Sequence, residues 1–195
     1  MSTTVAPRTS KPETNGGIGM ARVTYIEEAT TDDPTVRAAF ERMRAKRGKV
    51  TNIYKALAHK PGILAVMGPF VAAVQQPDEI DAKLKERIIL RVSMLNRSAY
   101  CTHAHEQISA KMGFSPSEIA AMHDPAAAEI GEDERAALAY AEELTLRPGD
   151  ISDGVYEELA RHFSESQIVE ITMVAALYNM VNRFNEALKL DPEAY

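Results

Sequence analysis

The chain contains one cysteine, Cys101. It therefore cannot close an internal disulfide, which removes the main sequence sign of an oxidising compartment. Positive charge is also scarce: 22 basic against 28 acidic side chains give a formal charge of −6. No broad positive field is available to release counterions from a nucleic-acid backbone, so DNA and RNA are disfavoured as partners. Long apolar runs are missing too. The stretch 168–181 is interrupted by Glu170, Thr172 and Asn179 and falls short of the roughly 20 residues a membrane span needs. The first twenty residues are dominated by Thr, Ser, Pro and Gly, without the apolar core of a secretory signal. These absences point to a cytoplasmic, soluble protein without a membrane or nucleic-acid partner. Internal repeats and a Gly-rich phosphate loop are not found, and no run alternates strictly between apolar and polar residues.

What remains is a chain of 195 residues, 45% apolar and 26% charged, which suits one folded domain around one core. Residues 1–22 are small and polar and cannot bury enough apolar area to offset ordering, so they read as a flexible arm. The domain is then expected over 23–195. From residue 23 onward apolar positions recur at three- and four-residue steps, which predicts an all-α fold of about eight helices. Asp33-Pro34 reads as an N-cap and first-turn pair, with a stop near Gly48. A short helix follows from Thr51 or Asn52, and another opens at Pro61 with a kink expected at Pro69. Asp81 caps an amphipathic helix ending at Asn96, with Lys83, Lys85, Arg87 and Arg91 placed on its wet side. The next runs from Ser98 to Met112, with Gly113 as its C-terminal stop. Ser115-Pro116 opens a further one, and three more are expected over 132–144, 153–163 and 164–188, the last with Ser164 and Gln167 as a capping box.

The segment "SAYCTHAHEQ", residues 98–107, holds the unusual chemistry. With Ser98 as N-cap, Cys101 is the third residue of its helix, close to free N–H groups and the positive end of the dipole, which favours a thiolate. His105, four residues later, rises from the same face. His103 lies about 200° around the helix from Cys101 at 100° per residue and is the weaker candidate. An acid that could orient His105 is available in Glu86, on the preceding helix. On one unbroken helix Glu86 and Cys101 would be about 22 Å apart, so a break at Asn96-Arg97 is required for them to meet. Read alone, Cys101 also fits a small buried apolar residue, and Glu86 fits a surface acid. A zinc set of Cys101, His103, His105 and Glu86 is a third reading, which the divergence of His103 from Cys101 opposes.

Glu86, fourteen residues, Cys101, three residues and His105 together resemble the core motif of the carboxymuconolactone decarboxylase and AhpD-like alkylhydroperoxidase superfamily. The segments "VTNIYKALAHKPGIL", "LKERIILRVSMLNRSAYCTHAH", "ERAALAYAEELT" and "YNMVNRFNEAL" are similar to its peroxidase-related branch, extending the resemblance over residues 34–193. The AhpD-like pattern has Cys-x-x-Cys-x-x-x-His, and here Ser98 stands in the first cysteine's place, so an internal disulfide cycle is unavailable. The resemblance implies an AhpD-like helical domain, a homo-oligomer, and catalysis by Cys101 as nucleophile, His105 as proton partner and Glu86 as its orienting acid, with no cofactor and no metal. Ser98 is then a cap that could hold a water or substrate oxygen, Tyr100 a pocket residue, and Asn182 and Arg183 polar groups near the site or at a helix interface. The expected reaction is one-cysteine reduction of a peroxide or alkyl hydroperoxide, with an external thiol returning the sulfenic acid. Two alternatives stay open: a carboxy-lyase of the decarboxylase type acting on a carboxylic acid with His105 and Glu86 as acid and base, and a non-catalytic oligomeric domain whose site has eroded.

Overall fold

A computed structural model describes residues 21–125 and 129–193. Among these are nine α-helices and no strand: α1 (Pro34–Arg47), α2 (Asn52–Leu57), α3 (Pro61–Gln75), α4 (Ala82–Leu95), α5 (Ala99–Lys111), α6 (Pro116–Ala121), α7 (Glu132–Leu146), α8 (Asp153–His162) and α9 (Glu165–Leu188). The fold is all-α, and the nine helices fall on the nine segments read from the sequence, one more than the round count of about eight. No helix among the described residues is long and apolar enough to cross a membrane.

The start signals act through identifiable bonds. Asp33 and Asp81 accept from the free N–H groups of their first turns, and Ser115 and Ser164 close full capping boxes with Glu118 and Gln167. Pro69 stays inside α3, which continues to Gln75.

Helix α4 is the central element, packed against α5, α7 and α9. Its Ile88, Ile89, Leu90 and Val92 are all but fully buried, each worth about 1.5–3 kcal/mol relative to an exposed position. Two of the cations expected on its wet side are buried as well. The Lys85 ammonium donates to the carbonyls of Val74 and Gln76 and pairs with Glu170. Arg87 pairs with Glu118 and Glu134 and lies 4.8 Å over the Phe114 ring. Periodicity placed these cations in water because their partners belong to other helices.

The break between α4 and α5 is a Schellman turn. Arg97 takes a left-handed φ of 55°, Arg97 N–H donates to Met94 O at 3.0 Å, and Ser98 N–H donates to Ser93 O at 2.9 Å. The left-handed backbone costs a non-glycine residue about 1–2 kcal/mol, and it folds α5 back along α4. Gly113, at φ 87°, repeats the device at the end of α5.

Of the arm expected to be mobile, residues 1–20 lie outside the described residues. Its last residue is tied down: Arg22 donates from its backbone to Leu188 O at 2.7 Å and from its side chain to Ala187 O at 3.0 Å. Three residues on, the Tyr25 hydroxyl donates to Asp191 at 3.0 Å. The first described residues therefore clasp the end of α9.

Candidate active site

The turn at Arg97 brings Glu86, from the middle of α4, against His105 on α5. Glu86 Oε1 lies 2.7 Å from His105 Nδ1 and accepts a second bond from the Ser109 hydroxyl at 3.3 Å. Both Glu86 and His105 are buried. An oxygen of a carboxylate can only accept, so Nδ1 carries the ring proton and Nε2 is left as the basic nitrogen. The Tyr178 ring of α9 meets His105 edge to face, with centroids 4.9 Å apart. Its hydroxyl accepts from Gln75, whose own oxygen accepts from Arg47 at 3.3 Å. Burial holds the Tyr178 phenol well above the usual tyrosine range, with Glu86 and Cys101 adding to the effect, so its O–H is retained.

Cys101 is 3% exposed. Its backbone N–H reaches the Ser98 hydroxyl at 3.5 Å, and its Sγ accepts from Asn185 Nδ2 at 3.2 Å. Cys101, His105, Tyr100, Tyr178 and Asn185 all line one small cavity of about 50 Å³. An outer vestibule of about 370 Å³, lined by Glu86, His105 and the basic Arg47, Lys49 and Lys111 among others, shares Arg47, Thr51, Gln75 and His105 with it.

One electrostatic expectation is overturned. Position at a helix start favoured a thiolate, but burial pushes the Cys101 thiol up, and the hydrogen bonds from Ser98 and Asn185 pull it down by less. Desolvation of the sulfur outweighs the helix end because the negative form would sit in an apolar pocket. Iodoacetamide alkylation of the native protein is therefore expected to be slow at pH 7, with a midpoint above the ordinary thiol value of about 8.5. A midpoint below 7 would contradict this reading of the site.

The other sequence candidates fall in different places. Ser98 is fully buried and caps α5, and its hydroxyl donates to Glu186 at 2.9 Å. Tyr100 is buried at the cavity wall. His103 is exposed and bonds to Gln107. Asn182 faces α4, where it accepts from Ser93 at 3.3 Å, and Arg183 is exposed. Among the described residues no group of three or more His, Cys, Asp or Glu side chains is arranged to hold a metal ion. Sequence reasoning missed Tyr178, Asn185, Gln75 and Thr51. Tyr178 and Asn185 carry a usable signal, being seven residues apart on one helix and hence on one face.

The model of the carboxymuconolactone decarboxylase family matches residues 61–143. The uncharacterized protein YdfG of Bacillus subtilis (strain 168) is 30% identical over 111 residues, 56% of this chain and 76% of its own. The chain belongs to this family. Among solved structures, an uncharacterized peroxidase-related protein from Ralstonia eutropha JMP134 with an alkylhydroperoxidase AhpD core superposes with a TM-score of 0.79 at 21% identity, covering 89% of this chain and 93% of that one. The debrominase Bmp8 superposes with a TM-score of 0.77 at 25% identity, covering 88% and 92%.

Proposed function

We propose that the protein is a one-cysteine, thiol-dependent reductase of organic hydroperoxides. The observation that carries this reading is that Cys101 and the Glu86-held His105 line the same cavity. Because the thiol rests protonated, His105 takes its proton as substrate arrives. The thiolate attacks the terminal oxygen of R–O–OH. An S–O bond forms, the O–O bond breaks, and the departing alkoxide takes the proton back from His105 as the alcohol. Sulfur has then been oxidised to a sulfenic acid. One external thiol displaces water from it to give a mixed disulfide, and a second releases Cys101 as thiol.

Cumene hydroperoxide with dithiothreitol is expected to be consumed, and a sulfenic-acid probe is expected to label Cys101 by mass spectrometry. An unlabelled Cys101 with no peroxide consumed would sink the reading. The likeness to the debrominase Bmp8 makes halogenated aromatics a second class to screen on the same thiol.

A carboxy-lyase reading is favoured by one specific feature, the vestibule in which Arg47, Lys49 and Lys111 stand beside the His105–Glu86 pair, a setting suited to a carboxylate. Turnover of a lactone acid that survives Cys101→Ser would select it. Self-association, the remaining expectation, is supported by exposed Val66 and Phe70 on α3 and Val169, Met173 and Met180 on α9. Sedimentation velocity is expected to show a species larger than 21.4 kDa.

A further inference from the structure

Two residues that line the inner cavity each carry a buried polar atom without a partner. Thr51, at the start of α2, and Asn185, on α9, are each 1% exposed. Thr51 Oγ1 and Asn185 Oδ1 are both buried without a hydrogen bond, and both residues line the cavity that holds Cys101 and His105. Buried polar groups in native proteins are nearly always satisfied, so a pair left open in one cavity points to something that enters it. Asn185 is already engaged through its other end, since Nδ2 donates to the Cys101 sulfur. The open positions therefore comprise an amide oxygen, which only accepts, and a hydroxyl, which can donate.

We propose that Asn185 and Thr51 form the subsite for the reacting oxygens of an organic hydroperoxide: Asn185 Oδ1 accepts the terminal O–H while its Nδ2 holds the sulfur, and the Thr51 hydroxyl donates to the oxygen that leaves. This rests on the thiol-peroxidase reading and adds positioning residues to it. A hydroperoxide carries the donor and the acceptor that the two groups require, whereas a disubstituted peroxide has no proton for Asn185. The single amide would hold nucleophile and target oxygen side by side, which is the alignment a displacement at oxygen needs. Size agrees with this division. About 50 Å³ has room for the –O–OH end, and the organic body lies in the vestibule beyond Thr51 and Gln75. Bond-making is unchanged from the scheme above: S–O forms, O–O breaks, and the proton from the thiol leaves with the alcohol.

The test uses the full chain, with Thr51→Val, Asn185→Ala and the isosteric Asn185→Asp, each checked for an unchanged melting profile. Thr51→Val is expected to lower kcat/KM for cumene hydroperoxide about tenfold, a neutral hydrogen bond's worth, while leaving the pH midpoint of Cys101 alkylation where it is. Either Asn185 variant is expected to move that midpoint upward and to lower kcat/KM further, and Asn185→Asp serves if the alanine variant does not fold. A wild type that consumes no hydroperoxide overturns the underlying reading. A wild type that does, together with variants matching it in kcat/KM and in alkylation midpoint, overturns the subsite alone.

Discussion

Cys101→Ser is expected to lower hydroperoxide consumption by about a thousandfold or more, because a serine hydroxyl cannot serve as the two-electron reductant and no second cysteine exists to replace it. Glu86→Gln is the informative companion. A glutamine oxygen still accepts from Nδ1 and from Ser109, so the ring stays in place. What is lost is the negative charge that stabilises the imidazolium formed when His105 takes the thiol proton. A fall of about a hundredfold is expected, concentrated in kcat, with alkylation of Cys101 slowed at pH 7. Stopped-flow consumption of cumene hydroperoxide by both variants reads these effects. A Glu86→Gln protein as fast as wild type would show that the acid is structural and that sulfur is activated in some other way.

Lys85→Met is expected to cost stability heavily, at a residue that also lines the vestibule. Lys85 is 2% exposed, and its ammonium satisfies two carbonyls and Glu170 at once. Methionine fills much the same volume but leaves the Val74 and Gln76 carbonyls without their donor and the Glu170 carboxylate without its counter-charge. Removing one partner of a buried pair costs about 3–5 kcal/mol. Glu170 retains partial access to water and a bond from Ile80 N–H at 3.0 Å, which places the loss near the lower end, about 3 kcal/mol. For a chain of this size that is a fall in Tm of about 6–12 °C by circular dichroism. A shift under about 2 °C would mean the pair is neutral in its setting.

Local signals in the chain are read correctly where the chemistry is local. Asp33, Asp81, Ser115 and Ser164 cap where their residue types and spacing say they should, because a cap is satisfied within four residues of itself. The Glu86–His105 contact is legible for a related reason: it needs only one break, and Asn96-Arg97 is the one place for it. The harder elements come from distant chain. Lys85 and Arg87 look solvated in sequence because nothing near them announces Glu170, Glu118 or Glu134. Asn182 and Asn185 sit three residues apart on α9, yet one turns to Ser93 and the other to the sulfur, a difference that the position of α9 against α4 and α5 decides. The upward push on the Cys101 thiol is not legible in sequence, because a helix start is visible there and the burial around it is not.

The clasp at the end of α9 has a bearing on how the sulfur is held. Asn185 lies in the last turn of that helix, two and three residues before the carbonyls of Ala187 and Leu188 that Arg22 grips. Trimming the protein to residue 26 would unlatch that turn and let it fray. The amide nearest the reactive atom would then lose its fixed bearing, and the packing of Ala21, Val23 and Tyr25 against the cluster that holds Cys101 would go with it.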